Sequence, residues 1–440
     1  MVDFGRTSNH ESQSEPFATA VIYSYVLSSG LTLVVMPNYH IPMVNIDIVY
    51  DFDPRLVPDG VPHLTEHLLF EGTANIPNGD VDRWLRLAGG SSTASTTWDS
   101  IVLHNTISAP NIEWLLYIES ERSRYLCDGI VDEDIENQRM VIANEMFSAA
   151  LQPNGDVADR LRKKSFTGHE IISSEVMGQI YDLETATRND ICSFATQWLQ
   201  PKQSTWIVTG DVDVDWLRQR LEVYFPSIES VVDSHVNTTN RKSETFQERG
   251  IPIVQNEGHR WFKESKQDSS MSADRLTLVF ASPPAGTIEE SVADAMLLSL
   301  TQSQTWEHFS SIDHIQGWSE NRSYGGWMAL SIRTSHPKKA MEELQVWLEN
   351  PQIDWPHWDD RQQYLVAQYL ETNNGRIALL NGCLQSLETS EITDCVTWQR
   401  QRYSGEITKE DIDSTRDFWD IEEASWLWMG QENWFDGERF

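Results

Sequence analysis

The stretch Gly60-Val61-Pro62-His63-Leu64-Thr65-Glu66-His67-Leu68-Leu69-Phe70 decides how this chain is read. It places an H-x-x-E-H pattern inside an apolar run. On a helix, residues i and i+4 lie on one face, so His63 and His67 can hold one metal ion between them. Glu66 follows His63 by three residues and projects near the same face. Two neutral imidazoles and an adjacent carboxylate suit a catalytic zinc, which needs ligands that leave a water position open and a base for that water. The competing reading is a pair of satisfied core histidines. In a chain with 12 His and 67 acidic residues the pattern also arises by chance, so the rest of the sequence has to carry weight.

At 440 residues the chain is too long for one core, and two or three domains are expected. An apolar fraction of 40% with 23% charged residues suits a soluble globular protein. No run of 18 apolar residues exists, so no membrane span is expected. Residues 1–19 are polar and acidic without a basic or apolar targeting segment. They read as a disordered tail, which points to a cytoplasmic location, or to a periplasmic one if a signal has been removed. Cys127, Cys192, Cys383 and Cys395 match no metal-binding spacing, and reduced thiols are the expectation. A net charge of −34 argues against nucleic acid, whose phosphates need Lys and Arg. The charge would draw basic peptides if it lined a cavity. The plainer reading is a solubility or salt-adaptation trait spread over the surface.

Along the chain, residues 20–35 read as two strands joined by Ser28-Ser29-Gly30, and Met43 to Tyr50 as another β-rich run. Helices are expected over 79–88, 111–125, 132–151 and 215–224, and residues 91–108 read as strand. Asp211, Asp213 and Asp215 resemble a calcium loop, but Trp216 stands where such a loop needs Gly, so an Asp helix cap is expected instead. Residues 229–250 are polar and read as a linker. Beyond it strands are expected at 251–254, 276–281 and 327–334, and helices at 291–301, 338–349, 360–385 and 409–418. The second part repeats the plan of the first. The expectation is an α+β protein with an N-terminal domain over 20–228 and a C-terminal domain over 251–440, each a mainly antiparallel sheet flanked by helices.

Two histidines leave a catalytic zinc one protein ligand short. The helix Ile135-Glu136-Asn137-Gln138-Arg139-Met140-Val141-Ile142-Ala143-Asn144-Glu145 offers Glu145, which ends an apolar stripe of Val141 and Ile142 and can point inward. At this point the chain resembles the M16 peptidases, the pitrilysin and mitochondrial processing peptidase family of inverted zincins. Glu145 lies 78 residues after His67, about where that family carries its glutamate ligand. Phe70-Glu71-Gly72-Thr73, Gly89-Gly90 with Ala94, Thr96 and Asp99, Ala186 to Ile191, Val208 to Val212 and Ile407 to Ile412 resemble further family elements. The likeness covers residues 20–430, firmly in the first half and weakly in the second.

The resemblance implies an M16B-type, half-length subunit that forms half of a clamshell. It implies one Zn2+ per chain on His63, His67 and Glu145, with Glu66 as the general base in peptide cleavage. Thr93 and Ala94 would lie on the strand that pairs with an extended substrate, and Glu136 would stand behind the ligands. Three departures matter. Gln138 replaces a second family Glu seven residues before the ligand, so an accessory acid role is lost there. Thr93 stands for a family Asn. Ser311 and Trp318 fall where the second domain, or a partner subunit, supplies an Arg and a Tyr to the substrate. A homologous partner lacking H-x-x-E-H but carrying that Arg/Tyr pair is therefore expected, in a heterodimer acting on peptides or leader sequences. The alternatives are a non-catalytic scaffold with the same fold and a zinc hydrolase with non-peptide substrates.

Overall fold

The computed structural model describes residues 21–151, 157–226, 260–264, 274–284, 287–301, 309–322, 325–349, 351, 409–415, 418–419 and 424–429. The expected tail, the linker, and the elements expected at 251–254 and 360–385 lie outside these residues.

Six strands make the first sheet: β1 (Tyr23–Val26), β2 (Thr32–Pro37), β3 (Met43–Asp51), β4 (Ser91–Thr96), β5 (Ser100–Ser108) and β6 (Ser204–Gly210). Their order is β1-β2-β6-β3-β5-β4, antiparallel except for the parallel pair β2 and β6. The helices between them are α1 (Val61–Leu68), α2 (Asp80–Leu87), α3 (Ile112–Gly129), α4 (Asp132–Leu151), α5 (Val157–Ser165), α6 (Glu170–Ser173), α7 (Ile180–Thr185), α8 (Arg188–Trp198) and α9 (Val214–Tyr224). Period-two alternation puts Val44, Ile46, Ile48 and Tyr50 of β3 on one face. They pack with Leu64 and Leu68 of α1 and with Leu115 and Leu116 of α3 in one core. The α+β expectation is met.

The run expected as one strand over 91–108 is a hairpin. Thr97 N–H donates to the Ser100 carbonyl at 2.8 Å, and the Thr97 hydroxyl donates to Asp99 at 3.1 Å. Ser and Thr side chains that serve strand and turn equally hide this break. Asp213 caps α9, accepting from Trp216 N–H at 2.7 Å, as the rejection of a calcium loop requires.

The second sheet holds β7 (Arg260–Glu264), β8 (Arg275–Ser282), β9 (His314–Arg322), β10 (Gly325–Arg333) and β11 (Ser425–Met429), in the order β7-β11-β8-β10-β9. One face packs Leu276, Leu278 and Phe280 against Val292, Met296 and Leu300 of the helix Ile288–Thr301. The other face, with Val279, Ala281 and Ala329, packs on Val157 and Leu161 of α5 and on Trp98 from the β4–β5 turn.

The expectation of reduced thiols is corrected at Cys127 and Cys192, which form a disulfide. α3 and α8 pack together and bring these residues to a Cα separation of 5.7 Å, inside the range a disulfide spans. Cys383 and Cys395 lie outside the described residues.

A buried ion pair stands behind α1. Arg122 Nη1 meets Glu119 Oε1 at 2.6 Å, with both side chains almost wholly excluded from solvent. Arg122 Nε also donates to the Leu69 carbonyl at 2.9 Å, the residue that ends α1. Removing one member of such a pair leaves a bare buried charge, whereas removing both does not. Arg122→Leu should therefore lower stability by roughly 3–5 kcal/mol, read as a lower urea midpoint. Combining it with Glu119→Leu should recover part of the loss, and equal midpoints for the single and double variants would contradict this account.

Candidate metal site

Local sequence sets the entry to α1. Gly60, at φ 76°, is its N-cap, and Pro62 sits in the first turn, where its missing N–H costs nothing. A Cβ on Gly60 would lie 2.9 Å from the Met177 carbonyl, so this approach requires glycine. Leu64 and Leu68 anchor the helix in the core. His63 and His67 then lie on its flank, their rings edge to face with centroids 4.8 Å apart.

The stripe of α4 that meets this flank is Ile135, Gln138, Ile142 and Glu145. Ile135 and Ile142 are buried, whereas Val141, expected on the inward stripe, is 41% exposed. Two turns separate Gln138 from Glu145, so they share a face. Glu145 Oε2 lies 3.6 Å from His67 Nε2 and 4.0 Å from His63 Nε2. One donor atom from each of His63, His67 and Glu145 falls within 4.8 Å of the others, a set that could hold a metal ion.

The electrostatics suit that set. Burial, followed by the neighbouring His67, pushes the His63 imidazole down to about 4, so it stays neutral near pH 7, the form a metal accepts. His67 Nδ1 lies 2.9 Å from Gln138 Oε1. Glu66 is buried beside the pair, and the Thr96 hydroxyl donates to its Oε2 at 2.6 Å. Desolvation raises the Glu66 carboxyl above its ordinary range, against the opposing effects of the Thr96 hydrogen bond, His67 and His104. A partly desolvated carboxylate next to two imidazoles and a third oxygen donor has the chemistry of a base beside a metal position.

The remaining expected residues are placed as follows. Thr93 and Ala94 lie on β4, which ends the sheet order, with Thr93 exposed and Ala94 half-buried. Glu136 is largely exposed and pairs with Arg139 on its own helix. The Ser311 hydroxyl donates to Glu343 at 2.6 Å. Trp318, on β9, packs beside the core that contains α5. Sequence reading did not single out Glu71, whose carboxylate accepts from Gln138 Nε2, and it gave Thr96 no contact with Glu66. Both Glu71 and Thr96 lie in stretches that resemble family elements, and Gln138 was marked by its seven-residue spacing from Glu145.

Residues 57–177 match the family described as Insulinase (Peptidase family M16). The zinc protease PqqE of Helicobacter pylori is 25% identical over 255 residues, which cover 57% of this chain and 52% of that protein. A protease of known structure from Helicobacter pylori aligns with TM-score 0.79 and 17% identity, covering 94% of this chain and all of that one. An M16 segment therefore lies in the first half of the chain, and the fold is of the M16 type. The chain spans about half the length, or less, of the curated M16-type relatives it matches. A further M16-type structure, the peptidase M16 inactive domain from Pseudomonas fluorescens, aligns with TM-score 0.76 and 12% identity over 94% of this chain and 98% of that one. Shared fold therefore leaves the chemistry to the side chains.

A histidine outside the metal cluster offers a direct check of this electrostatic picture. His104 Nδ1 bonds Asp47 Oδ2 at 2.9 Å, and Ser95 Oγ lies 3.2 Å from its Nε2. The Asp47 hydrogen bond raises the imidazole above 6.5 in spite of desolvation, with Coulomb attraction from Asp47 and Glu66 adding to it. An NMR titration should find His104 still protonated where an ordinary histidine is half neutral, and Asp47→Asn should lower its midpoint. An unchanged midpoint would contradict the assignment.

Proposed function

We propose that this chain is a zinc-dependent endopeptidase and the catalytic subunit of a heterodimer that encloses flexible peptides or leader sequences. One observation carries the reading: donor atoms of His63, His67 and Glu145 lie within 4.8 Å of one another, with buried Glu66 beside them. Those three residues would hold one Zn2+. When bound, zinc supplies a Lewis acid for the scissile carbonyl and lowers the pKa of its water. Glu66 would act as the general base for the attacking water. Its Oε2 already accepts from Thr96, which leaves Oε1 to take the proton. No covalent enzyme intermediate is needed.

β4 is the edge through which substrate would be held. It has a sheet neighbour only on its β5 side among the described residues, and Thr96 at its end reaches Glu66. An extended peptide added along Thr93 and Ala94 would run toward the base, with backbone hydrogen bonds providing affinity. Ser311 is held by Glu343 and Trp318 packs on a core, so neither offers the Arg/Tyr pair expected near the substrate carbonyl. A homologous subunit lacking H-x-x-E-H would supply it. The Cys127–Cys192 bond favours an oxidising compartment over the cytoplasm. Among the described residues no helix is long and apolar enough to cross a membrane.

A scaffold is the second reading, and the Pseudomonas fluorescens neighbour, an inactive M16 domain, gives it weight. Zinc content of the partner-bound protein separates the two: one zinc per chain supports the peptidase, and none supports the scaffold. Glu66→Gln should keep the zinc and slow cleavage of an unstructured peptide roughly 10²–10⁴-fold, and retained cleavage would remove the base assignment. The purified chain alone should be weakly active until a homologous subunit is added. A fully active homodimer would show the heterodimer reading to be wrong.

A further inference from the structure

We propose that Gln138, itself oriented by Glu71, is a positioning residue that locks His67 in the tautomer presenting a bare Nε2 to the metal position. The proposal rests on the zinc reading above and concerns which residues prepare the ligand.

The side-chain amide of Gln138 is directional: its oxygen only accepts and its nitrogen only donates. An ionised carboxylate only accepts. Glu71 Oε1 lies against Gln138 Nε2, so the amide nitrogen faces Glu71 and the amide oxygen faces His67. With Oε1 at 2.9 Å from His67 Nδ1, that nitrogen must carry the proton. A neutral imidazole has one N–H, so a proton on Nδ1 leaves a lone pair on Nε2, 3.6 Å from Glu145 Oε2. Reversing the amide would set its oxygen against the Glu71 carboxylate, two acceptors with no hydrogen between them.

Without this anchor the ring has a competing choice. A proton on Nε2 would bond the Glu145 carboxylate, and that tautomer cannot bind a cation from the same atom. His63 shows the contrast, because its Nδ1 is buried with no hydrogen-bond partner among the described residues. Of the two imidazoles, His67 is the one preset for a metal.

The chain of contacts also ties the end of α1 to α4. Glu71 lies just past α1, and Gln138 shares its face of α4 with Glu145. Gln138 and Glu71 are a matched pair, since a carboxylate at 138 would set two anions against each other. The amide lets Glu71 polarise the bond to His67 from one step away, without placing a charge on the ring.

The test uses the full chain and two readouts. One is zinc affinity by competition with a chromophoric chelator. The other is the His67 tautomer in zinc-free protein, from long-range 15N–1H correlation. Gln138→Leu should weaken zinc about 10–100-fold and remove the fixed Nδ1–H pattern. Gln138→Glu alone should weaken zinc as well. Combined with Glu71→Gln, it restores the order of donors and acceptors, and affinity should return to within a few-fold of the wild type. If Gln138→Leu does not fold, the swapped pair decides: recovery supports the proposal, and a tenfold or larger loss overturns it. Folded Gln138→Leu with unchanged affinity and tautomer overturns it too. A wild-type chain that takes up no zinc sinks the zinc reading, whereas wild-type His67 carrying its proton on Nε2 sinks this one.

Discussion

Everything at the candidate site depends on α1 and α4 lying side by side. Each helix alone offers an incomplete set: two imidazoles and a base on one, a carboxylate and an amide on the other. Packing joins them. Leu64 and Leu68 fill the core from α1, and Ile135 and Ile142 fill it from α4. The polar residues of both helices are then left facing each other at the edge of that core. There His63 is desolvated enough to stay neutral, and Glu66 is desolvated enough to become a stronger base. Burial that holds the helices in place thus also sets the protonation states of the side chains they carry.

Much of this geometry is legible in the sequence. The i, i+4 spacing of His63 and His67 fixes their face, and the helical stripe through Ile142 points Glu145 inward. Gln138 is legible only in part: its spacing puts it with Glu145, but its partner depends on where the chain turns after α1. Glu71 lies in a stretch that resembles a family element, but its contact is not legible, because it depends on the crossing of two helices. Thr96 is hidden by the unseen β4–β5 turn, since Thr97 and Asp99 serve a turn as readily as a strand. The disulfide is illegible for a similar reason. Its cysteines are 65 residues apart, and only the packing of α3 on α8 brings them together.

Composition misleads at α5. Residues 157–165 are mostly charged or small, with Val157 and Leu161 as the large apolar side chains, and they read poorly as a core helix. Yet both are buried, because α5 covers a face of the second sheet that few other described elements cover. Arg162 is buried as well. Its guanidinium lies 5.0 Å from the ring of Trp98 and 6.0 Å from that of Trp327. Such a contact gives a planar cation two aromatic faces in place of water.

That contact links the second sheet to the candidate site. Trp98 belongs to the turn that follows Thr96, and Thr96 holds Oε2 of Glu66. Trp327 is on β10, in the other half of the chain. A shift of β10 relative to α5 would therefore act on the β4–β5 turn first, and through Thr96 on the base. The edge strand that would take the substrate begins this hairpin. Its position is thus set from two sides, by α1 through Thr96 and by the second sheet through Trp98. The second sheet thus bears on where Glu66 and β4 sit, even though it supplies none of the metal-site donors.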